Sequence, residues 1–477
     1  MKKTKIIATL GPASQSEEKL TELYNAGVNI IRFNFSHAVY DNAKENKNKI
    51  SKLNSAGLTK LSCLLDTKGP EIRTGDLSEK ILFSKGDLID IYTDLEKSEK
   101  AEKSLFCDYM YLVEDLNVGD FIEIDSGLLK VKVVSKSTDF VTVEAGSDCL
   151  IGSRRHINLP GKSLRLPGIT DKDKQDVLFG IENDFDFIAQ SFVRSKENVL
   201  ELRKFLDDNN GSHIKIISKI ENQEGIDNLD DIIEVSDGIM VARGDLGIEV
   251  PIESLPIYQR RMVKKCLESG KFVIVATQLI ESMIENPFPT RAEISDIFNS
   301  VMQKADCLML SGETAIGKYP VEAVTMMKNV IVEAEKQIIY KHNDFLNNGL
   351  SQRNIEKKLL IKSALFMADE LNVDAILIFT RTGLLARLAS AFRPNKDVYA
   401  FTGKKASLKY MNILFGIKPT LLKDWSDSYV TNLKNSINIL LEQGKIDENS
   451  KLIAITDIQI ENKEIPVLEI ITIKDYI

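Results

Sequence analysis

Eight short apolar runs, each ending in polar residues and separated by helical patterns, constrain this 477-residue chain more than any other feature. Three lie in the first 70 residues, at Lys5–Thr9, Val28–Phe33 and Leu61–Asp66, with helical patterns at Ser16–Ala26 and Asp41–Ala56 between them. Five follow Leu159-Pro160-Gly161, at Phe185–Ala189, Ile214–Lys219, Gly238–Ala242, Phe272–Ala276 and Cys307–Leu310, interleaved with helices such as Ile252–Ser269 and Val321–Tyr340. Continuous apolar runs of this length are strands buried on both faces. Eight of them alternating with helices predict an α/β fold of the (β/α)8 or TIM-barrel type, whose chemistry sits at the C-terminal ends of the strands. Periodicity alone leaves a doubly wound open sheet as the competing layout.

Between the third and fourth runs, from about Gly75 to Ile157, the texture changes to short β-rich segments (Lys80–Phe83, Leu88–Tyr92, Phe121–Ile124, Leu128–Val134, Phe140–Ala145) punctuated by Gly, Asp and Ser. This predicts a small inserted all-β domain. The polar, turn-rich stretch 341–354 reads as a linker. Beyond it, strands at Asp374–Thr380, Val398–Thr402, Lys451–Thr456 and Val467–Ile473 alternate with helices at Glu356–Leu371, Leu384–Ala391 and Tyr429–Gln443, the pattern of a separate α/β domain.

Charge narrows the partners. With 62 Lys+Arg against 70 Asp+Glu the net charge is −8, which argues against nucleic acid as the main partner because neutralising phosphates needs a basic surface. No apolar run approaches a membrane span, and the apolar stretch after Met1-Lys2-Lys3 is too short for a signal peptide. Five cysteines without a CxxC pair fit reduced thiols, so the chain is expected to be cytoplasmic. Four histidines make a His-based metal site a poor fit.

Several strand exits are unusually polar. Lys219 and Glu221 share one face by their i, i+2 spacing, and Asp245 follows the next strand in Val-Ala-Arg-Gly-Asp-Leu-Gly. Two carboxylates from adjacent strands can hold Mg2+ that completes its shell with water and substrate oxygens. A lysine beside them can offset charge on a transferring phosphoryl group. The plainer alternative is a solvated ion pair, with Asp245 capping a turn. Arg32, Asn34 and Ser36 alternate with Phe33 and Phe35, so the polar three face one way. Asp66-Thr67 ends the next strand. Oxygens from Asn34, Ser36, Asp66 and Thr67 suit a hard cation, and a single carboxylate suits a monovalent one; ordinary turn chemistry is the alternative. Thr277 offers a hydroxyl at its strand end, and Ala242-Arg243-Gly244 can present backbone N–H groups to an anion. His37 lies at a strand exit and reads as a loop hydrogen-bonder. Neither a P-loop nor a GxGxxG after a first strand is present, so a nucleotide would be held another way.

The strings themselves are distinctive. Lys5-Ile-Ile-Ala-Thr-Leu-Gly-Pro-Ala-Ser14, Arg32-Phe-Asn-Phe-Ser-His37, Leu65-Asp-Thr-Lys-Gly-Pro-Glu-Ile-Arg-Thr-Gly75, Ile217-Ser-Lys-Ile-Glu-Asn222, Val241-Ala-Arg-Gly-Asp-Leu-Gly247 and Met309-Leu-Ser-Gly-Glu-Thr-Ala315 resemble, in order, the signature segments of pyruvate kinases. The resemblance covers nearly the whole chain. It implies a barrel domain at 1–72 and 160–342, an inserted small β-barrel lid at 73–159 after strand three, a linker at 343–354 and a C-terminal three-layer α/β domain at 355–477. It also implies phosphoryl transfer from phosphoenolpyruvate to ADP, giving pyruvate and ATP. Carried over by residue, Lys219 stabilises the transition state, Glu221 and Asp245 bind Mg2+ (or Mn2+), and Arg32, Thr277, Gly244 and Asp245 contact substrate, with Thr277 near the enolate carbon. Asn34, Ser36, Asp66 and Thr67 match the K+ ligands, and Arg73 and Arg155 face the nucleotide. Glu71 matches members that require K+, where K+-independent members carry Lys. A cytoplasmic homotetramer is the expected assembly.

The departures concern regulation. The loop that binds an effector phosphate in the family is usually rich in Ser and Thr, but here it reads Phe379-Thr-Arg-Thr-Gly-Leu-Leu-Ala386, and the segment Asp457–Pro466 lacks the glycines that cover a sugar bisphosphate. These residues give no basis for activation by fructose 1,6-bisphosphate. Two alternatives to the kinase are a Mg2+-dependent lyase or aldolase acting on pyruvate enolate, which needs neither insert nor monovalent site, and a silent metabolite-binding protein, which would be expected to have lost a ligand.

Overall fold

A computed structural model describes residues 2–36, 38–101, 103–338, 344–347, 350–460 and 463–476. His37, Tyr340 and much of the expected linker lie outside the described residues. The eight apolar runs form eight parallel strands: β1 (Lys5–Thr9), β2 (Ile30–Asn34), β3 (Ser62–Asp66), β4 (Phe187–Gln190), β5 (Lys215–Ile220), β6 (Gly238–Ala242), β7 (Phe272–Ala276) and β8 (Cys307–Leu310). Each pairs with its neighbours in sequence, and β8 pairs with β1 through Lys5↔Cys307 to Ala8↔Leu310. That closing pair excludes the open sheet.

The strands are buried on both faces because alternate residues serve two cores. Ile7, Ile30, Leu64, Phe187, Ile217, Met240 and Ile274 fill the lumen, while Ile6, Ala8, Ile31, Phe33, Leu65 and Val241 pack against the surrounding helices. Burying one such Ile or Leu contributes about 1.5–3 kcal/mol. Local signals start the helices. Ser16 accepts from Lys19 N, and Thr170 with Asp173 and Thr290 with Glu293 close capping boxes.

The stretch between β3 and β4 is a seven-stranded sheet in the order Ile72–Arg73, His156–Asn158, Phe121–Ile124, Leu129–Lys136, Phe140–Ala145, Leu88–Tyr92, Ser104–Phe106, with Ile81–Phe83 and Cys149–Ile151 paired apart. Its two edges meet at a Thr74↔Cys107 bridge, so the sheet curls back on itself. Two short helices, Leu95–Glu99 and Leu112–Asp115, correct the all-β expectation. The entering and leaving strands pair directly (Ile72↔Ile157), so this part hangs from the barrel on a two-strand stalk that begins at Ile72.

The C-terminal part has three layers. A sheet of β9 (Ala375–Phe379), β10 (Asp397–Thr402), β11 (Ile417–Leu421), β12 (Lys451–Ile460) and β13 (Lys463–Thr472) runs in the order β11-β10-β9-β12-β13, with only the last pair antiparallel. Helices Gln352–Glu370 and Leu384–Ala391 cover one face, and Tyr429–Glu442 covers the other. The first of these begins at Gln352, so residues 352–354, read as linker, form its opening turn. This domain plugs the barrel floor, where the strands start: Lys5 Nζ donates to Ile417 O (2.5 Å), Asn412 Nδ2 to Ser62 Oγ (2.9 Å), and Arg393 pairs with Asp306 (2.6 Å).

Candidate active site

The polar exits converge. Strands β2, β3 and β5 bring Arg32, Asp66 and Lys219 to one point at the mouth. Arg32 Nε donates to Asp66 Oδ2 (2.6 Å), and Lys219 Nζ donates to Asp66 Oδ1 (3.0 Å). Lys219 Nζ also stands 3.0 Å from Glu221 Oε1. Asp66 and Glu221 are each 1% exposed, so water screens these charges little. A second support for Arg32 is Thr9, whose hydroxyl accepts from Nη1 at 3.0 Å and donates to Leu310 O on β8 at 2.8 Å.

Electrostatics follow from burial and partners. Burial would raise Asp66, but Lys219 and Arg32 overcome it and hold its carboxyl below the usual range. Burial works against the Lys219 cation, yet Asp66 and Glu221 raise its pKa above the ordinary lysine value. Glu221 is different: burial pushes it up to about 7 against the pull of Lys219, and the charge of Asp245 adds to the rise. Two carboxylates that repel each other at a dry mouth fit a divalent cation, whose charge removes that cost. Asp245 lies in the first turn of a short helix, Arg243–Glu249, that starts where β6 ends.

The monovalent candidates also come together. Asn34 is the register partner of Asp66, Phe35 N donates to Asp66 O (2.9 Å), and Ser36 N donates to Asn34 Oδ1 (3.2 Å). Thr67 follows directly, so four oxygen-bearing residues share the adjoining exits of β2 and β3. Their donor set of neutral oxygens and one carboxylate fits K+.

At the next exits, Thr277 adopts φ +67 and Gln278 φ +51, a left-handed conformation that is costly for a β-branched residue. The Thr277 hydroxyl accepts from Gly244 N (2.9 Å) and donates to Ala276 O (2.6 Å). The Gly244 N–H, expected to be free for an anion, is therefore occupied by Thr277. Arg243 points away from the mouth; it binds Asp296 (2.7 Å) and the carbonyls of Ala276 and Gln278, which fixes the strained turn.

The two nucleotide candidates belong to the insert's stalk. Arg73 Nε donates to Glu71 Oε2 (2.7 Å) and Nη1 to Arg154 O (2.7 Å). Arg155 faces Asp125 at 3.4 Å, on the insert's own surface. A cavity of 580 Å3 at the mouth is lined by Thr9, Arg32, Asn34, Asn42, Asn46 and Ser311, within the size range of small-ligand sites.

Sequence reasoning missed the turn after β4. Ser191 Oγ accepts from Lys219 Nζ (2.7 Å), and Phe192 N donates to Glu221 Oε2 (2.7 Å). Phe192 has φ +54. A Ser-Phe pair carries no motif, so only the convergence of strand exits could have found it. His156 was missed as well: it sits on the stalk against Phe192, with ring centroids 5.9 Å apart, and burial pulls its pKa down.

Known proteins resemble this chain over most of its length. The family model described as pyruvate kinase, barrel domain, matches residues 1–324, and that described as pyruvate kinase, alpha/beta domain, matches residues 358–471. A pyruvate kinase of Staphylococcus epidermidis is 41% identical over 459 residues, covering 96% of this chain and 77% of that protein. One from Staphylococcus aureus is 40% identical over 461 residues, again covering 96% and 77%. In a solved structure, a pyruvate kinase from Cryptosporidium parvum superposes with a TM-score of 0.90 at 34% identity, covering 99% of this chain and 96% of that one. On both family models and on relatives matched over almost its whole length, the chain belongs to the pyruvate kinase family.

Proposed function

We propose that this phosphotransferase moves the phosphoryl group of phosphoenolpyruvate to ADP, giving pyruvate and ATP in the last step of glycolysis. The observation that carries the reading is the buried cluster of Lys219, Asp66, Arg32 and Glu221 at the barrel mouth. Both reactants are anionic, so the site must supply positive charge and exclude water. Arg32 and Lys219 supply fixed charge, with Lys219 directed at the enolate oxygen as the bond to phosphorus breaks. Thr277 and the Gly244 N–H hold the substrate carboxylate end, and the Thr277 hydroxyl stands near the carbon that takes a proton. Exchanging their mutual hydrogen bond for bonds to substrate keeps both groups satisfied.

Glu221 and Asp245 would hold Mg2+ or Mn2+, and Asn34, Ser36, Asp66 and Thr67 would hold K+. When bound, these ions offset the charge that builds between the phosphates and on the leaving oxygen. Arg73 and Arg155, carried by the insert, reach the nucleotide when the stalk bends, and the insert then shields the mouth from water. In this reading the chain divides into barrel, insert, linker and C-terminal domain, and the insert hinges near residues 72–75 and 157–160. The protein works as a cytoplasmic homotetramer. Among the described residues no helix is long and apolar enough to cross a membrane.

The test is a lactate-dehydrogenase-coupled assay with phosphoenolpyruvate, ADP and Mg2+, with and without K+, and with Lys219→Met as control. Pyruvate formation that needs ADP, K+ and Lys219 is expected. Full activity without monovalent cations removes the K+ site, and turnover retained by Lys219→Met removes Lys219 from its role.

A further inference from the structure

Two hydrogen bonds orient the Lys219 ammonium: Nζ donates to Asp66 Oδ1 (3.0 Å) and to Ser191 Oγ (2.7 Å), while Glu221 Oε1 stands beside it as an ion-pair partner at 3.0 Å. Both carboxylates are also the groups assigned above to cations, so a bound ion competes for the oxygens that orient the ammonium. Of these three partners Ser191 is the one with no such assignment. Its lone pairs are turned to Lys219 because its own O–H donates elsewhere, to Thr67 O at 2.6 Å; Asp66 Oδ1 is farther, at 3.5 Å.

The other end of this link is a residue of the monovalent site. The Thr67 hydroxyl is already committed, donating to Ala189 O (3.2 Å) and accepting from Ser191 N (3.2 Å). That leaves the hydroxyl one lone pair, whereas the Thr67 carbonyl has two for a cation to share, and that carbonyl is the one Ser191 holds. Ser191 is 1% exposed, and the backbone around it has little freedom. A Cβ on Gly69 would fall 2.7 Å from Ser191 Cβ, so Gly69, at φ +75, lets the Thr67–Pro70 loop close over the serine. The next residue, Phe192, keeps φ +54 while its N–H fixes Glu221. One short turn thus sets both the lysine and a carboxylate beside it.

We propose that Ser191 is a positioning residue, coupling the Thr67 carbonyl of the monovalent-cation site to the Lys219 ammonium through a single hydroxyl. The inference rests on the phosphotransfer reading and its K+ site. Ser191 touches neither substrate nor ion in this scheme; it keeps Lys219 aimed when cations draw on Asp66 and Glu221, and it reports occupancy of the Thr67 carbonyl to the lysine. An ångström of misplacement at a catalytic group costs on the order of 100-fold in rate.

The test compares the wild-type chain with Ser191→Ala, Ser191→Cys, which puts a somewhat larger and weakly hydrogen-bonding thiol in place of the hydroxyl, and Ser191→Thr, which keeps the hydroxyl. Two quantities are read: kcat and KM for phosphoenolpyruvate at saturating K+, and, without substrates, the KCl concentration that gives half of the K+-induced rise in melting temperature. Ser191→Ala and Ser191→Cys are expected to lower kcat by roughly 10- to 100-fold with KM changed by less than about threefold, and to raise the KCl midpoint by about fivefold or more. Ser191→Thr is expected to recover most of both losses. Wild-type kcat or an unchanged KCl midpoint in folded Ser191→Cys overturns the coupling, even if the threonine variant fails to fold. A wild-type chain that makes no pyruvate, or whose melting and turnover ignore KCl, overturns the underlying reading instead, and that result is seen before any variant is made.

Discussion

Single residues here hold conformations that packing alone would not select. Thr277 keeps φ +67, which costs a β-branched residue on the order of 1–3 kcal/mol, and its hydroxyl bridges Gly244 N and Ala276 O. A glycine relieves that strain at a cost of about 0.4–1 kcal/mol in unfolded-chain entropy. Thr277→Gly is therefore expected to leave denaturant stability within about 1 kcal/mol of wild type while turnover falls steeply; a large loss of stability with normal turnover would show that the turn serves the fold and not the chemistry. Lys219→Met should behave oppositely to a binding mutant. Losing a preorganised charge costs about 100- to 1,000-fold or more in kcat, and KM for phosphoenolpyruvate should stay near wild type because Arg32, Thr277 and Gly244 remain. Steady-state kinetics separates the two, since a raised KM at unchanged kcat would mean that Lys219 only binds substrate.

At the scale of elements, neighbouring barrel strands leave no slack. Gly238 on β6 is the register partner of Phe272 on β7, and a Cβ on Gly238 would come within 2.1 Å of the Phe272 ring. Gly238→Ala is expected to cost about 1–3 kcal/mol by overpacking, measured by urea unfolding, with kcat little changed because both residues start their strands at the floor. The same packing explains what could be read from the sequence. Strands buried on both faces have to be apolar throughout, so β1, β6, β7 and β8 begin and end at the residues the pattern picks out. β11 escaped because Ile417-Lys-Pro-Thr-Leu421 is short, mixed and interrupted by Pro419; an edge strand tolerates a proline that a central one does not. The insert's strands at Ile72–Arg73, Ser104–Phe106, Cys149–Ile151 and His156–Asn158 have two or three residues each, too few for any alternation to register. Lys219, Glu221, Arg32 and Asp66 were legible as candidates because charges at the ends of apolar strands have no packing reason to be there. Ser191 and Thr9 were not, because a serine or threonine after a strand looks like any turn, and their importance comes from contacts more than 20 residues away in sequence.

Across the whole molecule, the seam between barrel floor and C-terminal domain carries buried charge. Arg393 and Asp306 pair at 2.6 Å with side chains 2% and 1% exposed, and Asp306 also accepts from Val273 N at 2.9 Å. Asp306→Ala strands the guanidinium and is expected to cost about 3–5 kcal/mol, much of it recovered in Asp306→Ala/Arg393→Met; equal losses in single and double variants would mean the pair is not coupled. Lys5 makes the seam pH-dependent. Its side chain runs from β1 to Ile417 O, and burial pulls its pKa down to about 8; Cys307, Glu335 and Asp306 oppose the fall and Lys418 adds to it. The unfolded chain keeps the ordinary value near 10.5. Below pH 8 both states hold the proton and Lys5 adds no slope, only a constant penalty for burying a cation. Between about 8 and 10.5 the unfolded chain binds more protons than the folded one, so rising pH favours the fold. Above 10.5 the contribution is flat. The gain across the window amounts to up to about 3 kcal/mol. Buried cysteines and tyrosines titrate in the same range with the opposite sign, so the observable is the difference between Lys5→Met and wild type, both in a Cys307→Ser background because Cys307 is coupled to Lys5; the groups not coupled to Lys5 then cancel. Urea midpoints at pH 7, 8, 9 and 10 should show Lys5→Met more stable at pH 7, with wild type closing the gap as pH rises. Parallel curves would mean that the Lys5 amine stays charged against the Ile417 carbonyl, and that Asp306 and Glu335 offset the burial of the cation across the whole range.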